Sequence, residues 1–171
     1  MRVSMKGIGV IAAVVSAVFT AMLLHPVVSA EEMTVIDPDD LFGEYSDNTD
    51  AFVLFPGTAD MQQGYSPHGA LVTILVNETA MNSIGAGDDV FDDGSYIIKE
   101  NYTEDRELAL YTNMIKVEGF NPEGGDWYWV QYDADGTVST AGDGTPMAGA
   151  VDSCIVCHAA VSDTDWVFTP F

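Results

Sequence analysis

The sequence predicts an α+β, β-rich fold: a single antiparallel sheet, a few helices, and a short helix near the C-terminus that carries both cysteines. Three observations predict it. Four runs of branched and aromatic residues, 70–76, 95–102, 108–117 and 127–132, are too short for buried helices and are bounded by turn-forming residues. Helix start and stop signals flank only short segments. No heptad pattern, internal repeat or low-complexity tract competes with a sheet.

Residues 1–30 stand apart. Arg2 and Lys6 precede an apolar run from Gly7 to Leu24, and Val28-Ser29-Ala30 offers small residues before Glu31-Glu32. This pattern predicts an export signal peptide cleaved after Ala30, and so a periplasmic or otherwise exported protein. An uncleaved N-terminal membrane anchor is the alternative, because the apolar run approaches the ~18 residues that span a bilayer. Cleavage leaves 171 − 30 = 141 residues, 31–171, which form one domain. A chain of that size buries roughly two thirds of its unfolded surface and needs no disulfide to fold.

Asp37-Pro38-Asp39-Asp40 then starts a short helix running into Leu41 and Phe42. Ala51 to Phe55 is an apolar run ended by the turn dipeptide Pro56-Gly57, and Thr58 to His68 reads as a polar loop. The first clear strand, Ala70 to Val76, is followed by Asn77, an N-cap for a helix over Glu78 to Ile84 that Gly85 and Gly87 close. Asp92-Asp93-Gly94 opens the second strand, Ser95 to Tyr102, and Leu108 to Val117 is the third. After the turn at 121–125 comes an aromatic strand, Trp127 to Tyr132. Asp133-Ala134-Asp135-Gly136 reverses the chain, so Thr137 to Thr140 is expected to pair back as a hairpin arm.

Charge narrows the partners. All 27 acidic residues lie beyond residue 30, where only Lys99, Arg106 and Lys116 are basic, so the mature chain carries about 3 − 27 = −24. Such a field excludes nucleic acid and anionic lipid and speeds encounter with a basic partner, such as a positively charged redox protein. Adaptation to salty surroundings accounts for it equally well.

The chemistry is concentrated in Cys154-Ile155-Val156-Cys157-His158. Two thiols three positions apart on one helical turn can add across the two vinyl groups of one porphyrin, while the adjacent imidazole faces the iron. The spacing predicts one covalently attached haem c, with Cys154 and Cys157 as attachment points and His158 as proximal ligand. A disulfide or a thioredoxin-like pair would leave the adjoining histidine unexplained, and no second pair completes a zinc site.

Lys99 sits inside the strand Tyr96 to Tyr102, where alternation places it on the face of Ile97 and Asn101. Mid-strand lysines are usually solvated. Here the residues resemble a family. Gly94-Ser95-Tyr96-Ile97-Ile98-Lys99-Glu100, Met114-Ile115-Lys116, Gly125-Asp126-Trp127-Tyr128-Trp129, Cys154 to His158 and Asp165-Trp166-Val167-Phe168-Thr169 come in the order and spacing of the cytochrome P-460 family. The resemblance runs from about Leu71 to Phe168. It implies a β-rich fold, often a homodimer, with a five-coordinate haem c that takes a small nitrogen ligand and passes electrons to another cytochrome.

In members that oxidise hydroxylamine a strand lysine bonds to the porphyrin rim, and Lys99 matches it; such a bond would distort the macrocycle and tune its electronics. Those members carry a distal carboxylate where an ungapped placement puts Thr112, and a threonine cannot act as a base near neutral pH. The resemblance therefore implies hydroxylamine oxidation with Lys99 and Thr112 in the catalytic positions. The related cytochrome c′-beta branch, which binds nitric oxide without turnover, is the alternative. It would need only His158, an open iron face and aromatic crowding, for which Trp127, Tyr128, Trp129 and Tyr132 are candidates.

A plain electron carrier would need a sixth ligand, for which Met61, Met81, Met114 and Met147 are candidates, though methionine more often fills core gaps. His68, alone in a loop, reads as solvated rather than ligating. Asn77-Glu78-Thr79 and Asn101-Tyr102-Thr103 match glycosylation acceptors. Asp152 and Ser153 are expected to cap the attachment helix, and Asp163, Asp165 and the acids between Asp89 and Asp93 read as solvated charge.

Overall fold

A computed structural model describes residues 36–87 and 90–168. The expected signal segment and its cleavage point lie outside the described residues. The described elements are helix α1 (Pro38–Asp47), strands β1 (Val53–Leu54), β2 (Gln62–Gln63) and β3 (Leu71–Val76), helix α2 (Glu78–Ala86), strands β4 (Tyr96–Tyr102), β5 (Leu108–Lys116), β6 (Trp127–Asp133) and β7 (Ala148–Gly149), and helix α3 (Asp152–His158). A 3₁₀ segment, Ala159–Thr164, continues α3. Among the described residues no helix is long and apolar enough to cross a membrane.

The expected α+β, β-rich architecture is present as one antiparallel seven-stranded sheet. Its order is β1-β3-β4-β5-β6-β7, and β2 also pairs with β3. Two of its rows matter for the site. Ile74, Lys99, Thr112 and Gln131 stand side by side across β3 to β6, and next to them Val76, Ile97, Met114 and Trp129 form a second row on the same face. Period-two alternation sends the intervening residues to the other side.

Each face builds its own core. On one, Val76, Ile97, Met114, Trp127 and Trp129 pack with Ala80 of α2, Phe91 and Val167, and Cys154 and Ile155 of α3 lean on them. On the other, Tyr96, Ile98, Tyr128, Val130 and Tyr132 pack against Leu41 and Tyr45 of α1. The aromatic strand is therefore divided between the faces. Only Trp127 and Trp129 share the face of Lys99; Tyr128 and Tyr132 belong to the core under α1, where the Tyr132 hydroxyl donates to the Pro38 carbonyl.

The helices start where their caps dictate. Asp37 accepts from the Asp39 amide with Pro38 in the first turn of α1. Asn77 caps α2 through the Ala80 amide, and the same side chain ties the helix to β4 by accepting from Tyr96 and donating to Gly94. Gly85 stays inside α2, which ends at Gly87 in the left-handed region. Helix α3 differs from expectation: its N-cap is Val151, with no side-chain cap, and Asp152 is its first residue. The hairpin arm pairs back as expected, though over a short stretch: the Asp133 amide donates to the Thr137 carbonyl and the Ser139 amide to the Gln131 carbonyl around a bridge from Tyr132 to Val138, and β7 pairs with the earlier part of β6. Turn residues at 133–136 and 141–145 leave too few strand formers between them.

Candidate functional site

Helix α3 presents Cys154 and Cys157 one turn apart. Neither is in a disulfide; Cys154 is half-buried against the core and Cys157 is exposed. Burial pushes the Cys154 thiol up, so neither burial nor charge makes it a thiolate nucleophile of the thioredoxin kind.

His158 closes the helix, and its Nδ1 lies 2.6 Å from the Trp166 carbonyl oxygen. A carbonyl can only accept, so Nδ1 carries the proton. Burial is the first cause that lowers the affinity of His158 for a second proton, and the nearby Lys99 charge adds to it. The ring is therefore neutral, with the lone pair on Nε2, which is the state an imidazole needs to bind a metal. Trp129 stacks edge-on at 4.5 Å and Phe168 at 5.1 Å between ring centres.

The carbonyl that fixes this tautomer is itself held in place by a buried ion pair. Asp165 and Trp166 both adopt positive φ, 50° and 66°, a strained choice for residues with side chains. Asp165 is 7% exposed, not solvated as its acidity suggested. Its carboxylate takes the Lys116 amine at 2.6 and 2.7 Å and the Phe91 amide at 2.8 Å, while its carbonyl accepts from Trp127 Nε1. Gly125 makes room for this turn: a Cβ there would lie 2.5 Å from the Trp166 ring.

Lys99 and Thr112 are opposite each other on β4 and β5. Desolvation brings the Lys99 amine down to about 8, and its charge in turn helps hold both His68 and His158 down. His68 is the residue that sequence reasoning placed wrongly. Rather than solvated, it is half-buried, its Nδ1 is 3.3 Å from Thr112 Oγ1, and its ring is 6.5 Å from that of His158, centre to centre, at 90°. Burial first, then the charges of Lys99 and His158, hold it down to about 4.

Asn101 organises this corner. Only 1% exposed, it donates from Nδ2 to Thr112 Oγ1 and to the Lys99 carbonyl, and accepts from the Gly69 amide at Oδ1. That burial removes Asn101 as a glycan acceptor, and the three bonds made by Asn77 remove the other match. Nothing in the sequence links a histidine at 68 to a threonine 44 positions later, so only the register of the sheet reveals the pair. The candidate methionines divide otherwise: Met81 and Met114 fill the core cluster beneath α2.

Of the residues singled out from sequence, Lys99 and Thr112 share the face of the sheet on which Cys154 packs and His158 stacks against Trp129, while Cys157 is exposed one turn further along α3. The donor set fits a haem. Among the described residues no group of three or more His, Cys, Asp or Glu that could hold a metal ion comes together. Beside His158, the buried Trp129 Nε1 lacks a hydrogen-bond partner, which is costly unless an acceptor arrives. No curated protein matches the chain. The profile of the Cytochrome P460 family matches residues 56–169, which takes in the sheet from β2 to β7, His68 with its loop, and the cysteine helix; the chain belongs to the cytochrome P460 family.

Proposed function

We propose that the protein is an exported mono-haem c cytochrome that oxidises hydroxylamine or a related small nitrogen species. The observation that carries this reading is the register of the sheet, which sets Lys99 beside Thr112 in the row next to Trp129, the residue against which the His158 ring packs. Bound there through Cys154 and Cys157, haem c supplies an iron that takes the nitrogen ligand and accepts its electrons. The protein's own part follows from its side chains. His158 presents Nε2 as the proximal ligand because the Trp166 carbonyl holds the proton on Nδ1. Lys99, whose amine is neutral in part near pH 8, is the group poised to bond the porphyrin rim. Trp129 packs on the His158 ring from the core, and the more exposed Phe168 flanks it. Thr112 contributes no base; its hydroxyl orients neighbours.

That last point favours a second reading, a nitric oxide-binding protein of the c′-beta type without turnover. The two are separated by denaturing and digesting the haem-loaded protein. A haem peptide that joins the Lys99 fragment to the Cys154–Cys157 fragment supports the oxidase; separate fragments support gas binding. Hydroxylamine consumption with an artificial oxidant, followed in wild type and Thr112→Glu, gives the functional arm. Comparable rates support the oxidase as it stands, whereas a large gain in the variant assigns the native protein to gas binding.

A further inference from the structure

We propose that the buried Lys116–Asp165 pair sets the donor strength of His158, and through it the reduction potential of the iron, by holding the Trp166 carbonyl against Nδ1. This rests on the haem reading above and deepens it with a tuning device for the same site.

The bond at Nδ1 is where the tuning acts. At 2.6 Å it is shorter than the ~2.9 Å usual for N–H···O. An acceptor drawn that close pulls on the Nδ1 proton, makes Nε2 the more basic donor, and so favours the oxidised state of the metal that Nε2 binds. A carbonyl free to drift would give that advantage back.

The carbonyl has no helix or strand of its own to hold it. It belongs to a turn in which two residues in a row, Asp165 and Trp166, take positive φ of 50° and 66°, and backbone of this kind persists only where its surroundings over-determine it. The surroundings do so at Asp165. Lys116 Nζ reaches both carboxylate oxygens, the Phe91 amide donates to one of them at 2.8 Å, and Trp127 Nε1 donates to the Asp165 carbonyl at 2.8 Å. Lys116 and Trp127 are partners in the register of β5 and β6, so the clamp is anchored on the sheet, one peptide away from the carbonyl that faces His158.

The use of charge at this place needs a reason. A buried ion pair adds little stability over apolar residues of the same size, because desolvation takes back most of the attraction. What it adds is position: a carboxylate gripped by one amine and one main-chain amide is held in a single orientation. Lys116 and Asp165, 9% and 7% exposed, are then positioning residues for the proximal ligand.

The experiment measures the iron–histidine stretch of the ferrous protein by resonance Raman scattering and its reduction potential by spectroelectrochemistry, on the full chain produced with its haem attached and with no substrate added. Lys116→Met combined with Asp165→Asn removes the pair, strands no charge and leaves the net charge unaltered, so the overall field stays the same. This double variant is expected to move the stretch to lower frequency and to favour the reduced iron about tenfold or more, a rise in potential of ~59 mV or above. A folded double variant with a lower denaturant midpoint but the wild-type stretch and potential makes the pair a staple for the C-terminal turn and overturns the proposal. Where the double variant does not fold, Trp127→Phe decides, since it removes one bond of the clamp and leaves the pair. It is expected to shift both readings in the same direction by less, and an unchanged stretch and potential there overturns the proposal as well. A chain that acquires no covalent haem in a competent host overturns the haem reading itself, a result distinct from any of these.

Discussion

Lys99 occupies a place where its charge is costly. Desolvation lowers its amine from the usual 10.5 to about 8, so between those two values the unfolded chain binds a proton that the folded chain lacks. Stability therefore rises with pH across that window, and the penalty is complete below pH 8. Compared with Lys99→Met, a wild type with a free amine should be less stable at pH 7 and should close the gap as pH climbs from 8 to 10.5, as urea midpoints will show. A lysine already bonded to the porphyrin has no such proton to lose, and the two curves would then run parallel. Asp165 is the opposite case, a buried charge whose partner is in place. Removing it by Asp165→Asn leaves the Lys116 amine buried beside the Trp127 ring, at a cost of about 3–5 kcal/mol in denaturant unfolding. Lys116→Met combined with Asp165→Asn should recover part of that loss, because the stranded cation is gone.

At the scale of elements, α3 is the weakest and the most consequential. Seven residues without a side-chain cap cannot hold a helix in water, so α3 persists because Cys154 and Ile155 dock on the sheet and Trp166 bonds back to His158. Gly125 is the hinge of that docking, with φ +67° and no room for a methyl against Trp166. Gly125→Ala should cost ~2 kcal/mol and shift the absorption of the bound haem by disturbing the carbonyl on His158; an unchanged midpoint and spectrum would show that the turn is not under this constraint. The long elements were legible in the sequence because a two-residue period and branched residues mark β3 to β6, and Asn77 and Asp37 announce their helices. For Cys154, Cys157 and His158 the expectation comes from their spacing, and the structure sets the three together on α3. Asp165 and His68 were not. Their partners, Lys116 and Thr112, lie 49 and 44 residues away, and a lone acid or a lone loop histidine looks the same whether it is solvated or held by a strand. Tyr128 and Tyr132 misled for a simpler reason: an aromatic run does not say which residues face which side until the register is known.

Over the whole molecule the charge outweighs any single pair. The chain beyond residue 30 carries 3 − 27 = −24, and of its three cations Lys116 is neutralised within the core and Lys99 is half-buried at the site face, so the surface is almost uniformly anionic. A field of one sign raises the encounter rate with a basic redox partner and falls away once the screening length shortens, from ~30 Å at 0.01 M salt to ~8 Å at 0.15 M. On the proposed function, electrons taken from a small nitrogen ligand would leave through a second protein, and a basic cytochrome is the partner such a surface would recruit. Stopped-flow oxidation of the reduced protein should accordingly slow by about tenfold or more between 0.01 M and 0.5 M salt with a basic cytochrome as acceptor. With an anionic acceptor the rate should rise over the same range as repulsion is screened. Rates that ignore salt for both acceptors would mean that the acidity serves solubility alone, and that the path of electron exit is set by a local contact.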